Sequence, residues 1–346
     1  MLLIHKKIII FSASLIFICL FFAGIFYYQT SIRRDSKVQE INFVVEKGES
    51  VKIISQNLFE KKLIKSKKFF ELFVWWNDKQ AKLQAGEYLL NSGETISQIV
   101  DKFGNAKAST TKIKIKEGED IEEIAKNLEA QGLFTKKDFY IETGNLFTNT
   151  PVNQEYASKY DILADKPQDS SLEGYLFPDT YQVYKNTKPS DVVEKMLKNL
   201  EAKFSDDLRR EVAGQGKSIF DIITMASIVE KEVKTPEDMK IVAGIFWHRI
   251  KIGQVLQSDA TLSYVLNDKT PAHSLEELKN DSLYNSYKYR GLPPGPIGNP
   301  GMNAILAAIY PTETDYNFFL TPKDSDKTIF SKDFEEHKLN KQRYLN

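Results

Sequence analysis

The segment Ser218–Glu232, SIFDIITMASIVEKE, constrains this chain more than any other. Between Ile219 and Val229 only Asp221, Thr224 and Ser227 are polar. A helix built from it is apolar on most sides and has to be enclosed by other elements rather than laid on a surface. Ser218 and Asp221 supply a hydroxyl for orphan amides and an acid near the positive end, an approximate helix-start signature. Glu230 closes the apolar run, stacking over Ala226 and Ser227, while Glu232 points away by more than half a turn. The two acids are therefore not expected to share a site. A carboxyl at the end of a buried helix loses hydration when ionised, which raises its pKa towards values where it can donate a proton near neutrality. Glu230 is on this reasoning a candidate general acid. The competing reading makes it the solvated end of a core helix, paired with a neighbouring lysine.

With 346 residues, 42% hydrophobic and 12% aromatic, the chain can bury a substantial core and is expected to hold more than one domain. Basic and acidic residues balance at 47 each, so no global field points to nucleic acid as a partner. The one cysteine, Cys19, excludes a disulfide within the chain and says little about compartment. Ile8 to Tyr28 carries no charge over 21 residues, about 30 Å at helical rise, and predicts a membrane-spanning helix. The run is long for a cleaved signal, and Ala23-Gly24 is followed by bulky Ile25, Phe26 and Tyr27. Lys6 and Lys7 on one flank face Arg33, Arg34 and Lys37 on the other, so basic residues do not choose an orientation.

From Val44 onward a fixed offset of 70 aligns the chain with itself: Gly48 with Gly118, Glu49 with Glu119, Ile54 with Ile124, Asn57-Leu58 with Asn127-Leu128, Leu63 with Leu133 and Phe69 with Phe139. Each copy reads as an alternating strand (Asn42–Val45; Lys112–Lys116), a glycine turn and an amphipathic helix. The first copy resembles small sugar-binding modules of the LysM type; a structural arm without a ligand fits the same short signature. Trp75 and Trp76 offer stacking faces for a sugar, although adjacent aromatics on a Phe-rich helix are more often core.

Thr143 to Gln168 is polar and weakly patterned, as a surface connection would be. EGYLFPDTY, Glu173 to Tyr181, reads as a rigid loop that either places Glu173 in a site or braces a turn. Ser190 starts an amphipathic scaffold helix, and a further helix covers Met239 to Ile250. Gln257, Ser258 and Asp259 cluster between apolar stretches, where they suit a sugar hydroxyl; Asp259 equally suits the cap of a helix starting at Ala260. Tyr284 to Gly301, YNSYKYRGLPPGPIGNPG, has four prolines and four glycines in its last eleven residues and can only be a stiff, extended loop. Its Tyr284, Asn285, Tyr287 and Asn299 are candidates for a cleft wall. Asn303 to Tyr310 returns to helix, and Tyr316–Leu320 and Thr328–Ser331 read as paired strands.

Elimination narrows the chemistry. The histidines, at 5, 248, 273 and 337, have no zinc spacing such as His-Glu-x-x-His. No Gly-x-Ser-x-Gly elbow is present, and no cysteine outside the apolar run offers a nucleophile. GQGKS at 214–218 lacks the earlier glycine of a phosphate loop, Glu211 standing in its place. A carboxyl acid remains. A glycosidase needs two carboxyls, for which Glu173 and Asp259 are possible partners of Glu230, but if the substrate's own hydroxyl attacks the anomeric carbon, one carboxyl suffices.

ASIVEKE at 226–232, HRIKIGQVLQSDAT at 248–261, EGYLFPDTY at 173–181 and YNSYKYRGLPPGPIGNPG at 284–301 together resemble the endolytic murein transglycosylase family (MltG, YceG-like), over most of residues 40–340. The resemblance implies an α+β protein with an N-terminal transmembrane helix, a LysM-like repeated strand-turn-helix arm and a helix-centred catalytic domain with a small sheet. The expected boundaries are a cytoplasmic stub and anchor at 1–35, the LysM-like subdomain at 36–105, the second repeat and connection at 106–165, and the catalytic domain at 166–346. It further implies cleavage of the bond between N-acetylmuramic acid and N-acetylglucosamine in nascent peptidoglycan strands, with a 1,6-anhydro end. Glu230 matches the family's catalytic glutamate, and Glu173, Gln257, Asp259, Tyr284, Asn285 and Asn299 are implied to line the cleft as binding residues. No metal or organic cofactor is expected. The implied partners are glycan strands, the cell membrane through a single-pass anchor, and peptidoglycan synthases, with the catalytic domain facing the wall. Thr328 stands where the family often has a histidine, so a contact there is not carried over. The alternative from another class is a non-catalytic scaffold that holds glycan.

Overall fold

The computed structural model describes residues 24, 40–46, 48–104, 110–184, 187–268, 273–322, 325 and 327–345. Its architecture is α+β, and every sheet among the described residues is a two-stranded ribbon. Two compact units emerge, one from the described residues up to Thr111 with 182–184, the other from 112–181 and the described residues from 187 onward.

In the smaller unit, period-two alternation buries Phe43 and Val45 of β1 (Glu40–Val45), which pairs antiparallel with β2 (Gly86–Asn91), Phe43 opposite Tyr88. Between the strands lie α1 (Val51–Glu60) and α2 (Lys67–Trp76), and α3 (Ile96–Gly104) follows β2. Their apolar stripes close a core of Ile54, Leu58, Phe70, Val74, Leu90 and Phe103 around the ribbon. Tyr88 sits edge-on to Phe103 at 4.7 Å and shares its hydroxyl between the Gln84 carbonyl at 2.5 Å and the Phe103 carbonyl at 3.1 Å. Trp75 and Trp76 are not core: they are 66% and 73% exposed, beside exposed Leu72.

The sequence repeat is a repeat of elements and of local bonds. β3 (Thr110–Lys114), α4 (Ile121–Ala130) and α5 (Lys136–Thr143) follow in the order of β1, α1 and α2. Gly48 and Gly118 both turn the chain with positive φ, +83° and +78°. Glu49 accepts the Glu46 amide at 2.8 Å and Glu119 the Lys116 amide at 3.2 Å. Ile54 and Leu58, like Ile124 and Leu128, are fully buried. The two copies belong to different compact units, the smaller one holding the first copy with its partner strand β2 and α3.

The larger unit continues through the short ribbon of β4 (Gly144–Asn145) and β5 (Thr150–Val152) to β6 (Thr180–Tyr184), whose last residues count with the smaller unit. α6 (Pro189–Lys203) buries Val192, Val193, Met196, Leu197 and Leu200 on one stripe, and α7 (Asp206–Gly214) leads to α8 (Ile219–Glu232). Then come α9 (Pro236–Lys251), α10 (Asp259–Leu266), α11 (Met302–Ile309), an antiparallel ribbon of β7 (Phe318–Leu320) and β8 (Ile329–Ser331), and α12 (Phe334–Tyr344). α8 is the enclosed helix its composition demands. Every residue from Ile222 to Val229 is buried, against α9, α10 and α11. Its Ile222, Ile223, Met225, Ile228 and Val229 side chains each contribute about 1.5–3 kcal/mol by leaving water. Ser218 starts it with a full capping box: its hydroxyl accepts the Asp221 amide at 3.0 Å, and Asp221 accepts the Ser218 amide at 3.0 Å.

The expected transmembrane helix requires correction. Among the described residues no helix is long and apolar enough to cross a membrane. α9, the longest of them with 16 residues, reaches only about 24 Å, and the apolar surface of α8 is covered by protein instead of lipid. Apart from Gly24, the stretch 8–28 on which the expectation was placed lies outside the described residues.

Candidate active site

Positions 223, 227 and 230 share one face of α8, and the proline-rich loop runs along that face. The Ile297 amide donates to Ser227 Oγ at 3.0 Å and, one turn on, the Gly301 amide donates to Glu230 Oε2 at 2.9 Å. Ser227 in turn donates to the Thr224 carbonyl at 2.7 Å, so a polar position inside an apolar helix is satisfied without disturbing it. The approach is too close for side chains. A Cβ on Gly174, whose φ is +87°, would lie 2.6 Å from Ile223 and Pro296, and one on Gly298 would lie 2.7 Å from the Gly118 carbonyl.

Asn299 ties three separate segments together at this end of α8. Its side-chain amide donates to the Glu119 carbonyl at 2.9 Å and to Glu173 Oε1 at 3.1 Å, its Oδ1 accepts the Leu176 amide at 2.8 Å, and its own carbonyl accepts the Gly118 amide at 2.8 Å. The turn at 117–119 thereby lies over Glu230: a Cβ on Gly118 would be 3.4 Å from Glu230 Cγ. Glu173 Oε2 accepts the Ile121 amide at 3.1 Å and the Tyr264 hydroxyl at 3.2 Å.

Three carboxyls here are held well above the ordinary range. Burial pushes Glu230 up to about 7; the Gly301 amide and Lys231 oppose the rise, and Glu117 adds to it. Glu173 rises to about 8, again through burial, with Asp120 adding to the effect and the Ile121 amide, Lys231 and Tyr264 opposing it. Glu232 reaches about 7 by burial, against the Ser258 hydroxyl that bonds it. A buried helix end flanked by neutralised acids can donate a proton near pH 7 and take one back.

The residues singled out from sequence fall into two groups. Glu173 and Asn299 bond each other, and two residues further along the same loop the Gly301 amide bonds Glu230; Tyr284 stands beside Glu173, its ring 5.4 Å from that of Tyr264, which bonds Glu173. Glu173 and Tyr284 also line a cavity of about 880 Å³, walled by Asn145, Phe147, Pro294 and Pro296 among others; Glu230, Gln257, Asp259, Asn285 and Asn299 are not in its lining. The second group lies along 257–259 and 285–287, where Ser258 bonds Glu232. Asp259, first residue of α10 and not its cap, accepts the Tyr287 hydroxyl at 2.6 Å. Gln257 is exposed with a left-handed φ of +55°, its amide donating to the Ser286 carbonyl at 2.9 Å. Asn285 is fully buried and spends its amide on the Leu278 and Asn280 carbonyls at 2.9 and 2.8 Å. As expected from their angular offset, Glu230 and Glu232 bond different partners, but Glu232 is a buried acid in its own right.

Sequence reasoning missed several participants. The segment 145–151, read as a connection, forms one wall of the cavity. Tyr264 lies on a helix whose apolar composition gave no sign of a polar task. The Gly118-Glu119 turn was visible as a repeat, yet nothing local marked it as the cover of Glu230.

A model of the YceG-like family matches residues 43–343. The chain belongs to the YceG-like family. It is 32% identical over 94% of its length to a Bacillus subtilis protein named endolytic murein transglycosylase, 91% of which is covered. A Streptococcus pneumoniae protein of the same name is 28% identical over 99% of this chain, which spans 66% of that longer relative. The crystal structure of a yceG-like protein from Listeria monocytogenes, 31% identical, superposes with a TM-score of 0.59 over 88% of this chain and 100% of that one.

Proposed function

We propose that this YceG-like chain is an endolytic murein transglycosylase that cuts the β-1,4 bond between N-acetylmuramic acid and N-acetylglucosamine in nascent glycan strands, with Glu230 as its one acid and base. The observation that carries the reading is the Glu230 carboxyl itself, fixed by the Gly301 amide at the end of a buried helix and raised to about 7. Membership of the family and the printed names of the relatives support the reaction class.

In this reading protonated Glu230 gives its proton to the glycosidic oxygen as the bond from that oxygen to muramic C1 breaks. The C6 hydroxyl oxygen of the same muramic residue then bonds to C1, and its proton passes to the Glu230 carboxylate. Atoms balance without water, the product is a 1,6-anhydro end, and the acid is regenerated for the next cycle. Glu173 and Tyr284 serve the glycan from the cavity, whose volume suits a saccharide unit. Asn285 and Asn299, fully buried, hold the loop rather than touch sugar. Gln257 and Asp259 are assigned a binding role on the opposite flank, near Glu232. We place the reaction on the outer side of the cell membrane, beside the synthases that extend the strands, because its substrate is there.

The test is product analysis on uncrosslinked glycan with the purified chain. Anhydro-muramyl ends from the wild type, and none from Glu230→Gln, support the assignment. Reducing ends carrying solvent oxygen would make the protein a hydrolase, and intact strands from both proteins would leave a glycan-holding scaffold.

A further inference from the structure

Away from Glu230, Asp268, His273 and Glu277 bring one ligand atom each to within 4.8 Å of one another. Each is set in place by bonds of its own. Asn267 ends α10 with a left-handed φ of +51°, which lets the Asp268 amide donate to the Ser263 carbonyl at 3.1 Å. Ser274 holds Glu277 Oε2 through its amide at 2.7 Å and its hydroxyl at 2.8 Å. The His273 side chain is wholly shielded from solvent, and its Nε2 meets the Asp259 carbonyl at 3.2 Å and Ser263 Oγ at 3.0 Å.

The imidazole decides the reading. A carbonyl oxygen only accepts, so the contact with Asp259 puts the ring hydrogen on Nε2. Nδ1 then presents a lone pair, buried and without a hydrogen-bond partner, towards Glu277 Oε2 at 4.0 Å. That separation is too long for an N–H···O bond, and a lone pair facing carboxylate oxygens is repulsive unless a cation lies between them. A ring nitrogen turned to carboxylates while the other nitrogen is anchored on a backbone carbonyl is the arrangement that orients a metal-binding histidine.

We propose that Asp268, His273 and Glu277 form a divalent-cation site that clamps the chain at 273–277 onto α10. One imidazole nitrogen with two carboxylates selects a borderline ion of the zinc kind over calcium or magnesium, which favour all-oxygen sets. Three protein ligands leave further positions to water. The clamp is structural: α10 carries Tyr264, which bonds Glu173, and Asp259, which bonds Tyr287.

The experiment titrates Zn²⁺ into the untagged, metal-stripped full chain by calorimetry and follows thermal unfolding in parallel. One ion bound per wild-type chain is expected, with a rise in melting temperature. Asp268→Asn with Glu277→Gln should weaken binding by about tenfold or more and abolish that rise. The Glu277 carboxylate side chain is 39% exposed, so this pair of changes spares the core; circular dichroism verifies the fold. X-ray absorption of the zinc-loaded wild type should show an imidazole scatterer. Equal binding by wild type and double variant, or no binding by the wild type at micromolar zinc, would overturn the site. The readouts do not involve glycan cleavage, so they stand apart from the catalytic reading.

Discussion

In the proposed reaction Glu230 has to be protonated when the glycosidic bond is cut and ionised when the C6 hydroxyl closes on C1. Burial that lifts it to about 7 keeps both forms within reach at neutral pH. Because the first step needs the proton, kcat/KM is expected to fall along a limb centred near pH 7 as pH rises, and Glu230→Gln to lower kcat by about 10²- to 10⁴-fold with the fold intact. A rate independent of pH between 6 and 8 would remove Glu230 from that role. Glu173 makes a different prediction. Three donors converge on its oxygens, from Ile121, Tyr264 and Asn299. In Glu173→Gln one side-chain NH₂ must face a donor inside the protein, so a stability loss of about 1–3 kcal/mol is expected in urea unfolding. The sequence displayed Glu230 plainly, since it is the first acid after an apolar helical run. It did not display what Asn299 does, because the partners of Asn299 at 119, 173 and 176 are distant in the chain and meet only through the fold.

Elements were legible where local chemistry sets them. Ser218 and Asp221 marked the start of α8 correctly, and alternation marked β1. The loop from Gly291 to Gly301 was recognisable as stiff, but its path was not, since that follows from close approaches between backbones. Those approaches can be tested. The φ of Gly298 is not in the left-handed region, so Gly298→Ala acts by contact alone: its Cβ would sit 2.7 Å from the Gly118 carbonyl, a backbone atom that cannot swing aside. The loop should lift from α8 and loosen the Gly301 amide from Glu230 together with the buried bonds of neighbouring Asn299, lowering kcat and the unfolding midpoint while circular dichroism changes little. Unchanged kinetics in that variant would show that the loop's seat does not matter to the acid.

At the scale of the molecule, composition correctly announced a protein with a large core, and an offset of 70 announced its internal repeat. Which copy joins which compact unit was not readable, because both copies carry the same local pattern and differ only in what packs against them. The cavity was equally hidden, its walls coming from residues 145–151, 169–173 and 280–296, stretches that no local periodicity connects. One collective property follows from the buried acids. Glu173, Glu230 and Glu232 are raised from 4.5 to about 8, 7 and 7. Between the unfolded and folded values the native state holds protons that the unfolded chain has released, so stability falls with rising pH across that interval. The loss should begin near pH 4.5 and level off above about pH 8. Acids whose pKa is lowered, such as Glu122, Asp138 and Asp281, act at the acidic end instead, where stability falls as pH drops. The urea midpoint is therefore expected to be highest in mildly acidic buffer and lower at pH 8, with a shallower decline in Glu230→Gln, which has one fewer buried proton to lose. A midpoint that rises from pH 5 to pH 8 would mean that these carboxyls are ionised in the native protein, and would remove the proton donor on which the proposed reaction depends.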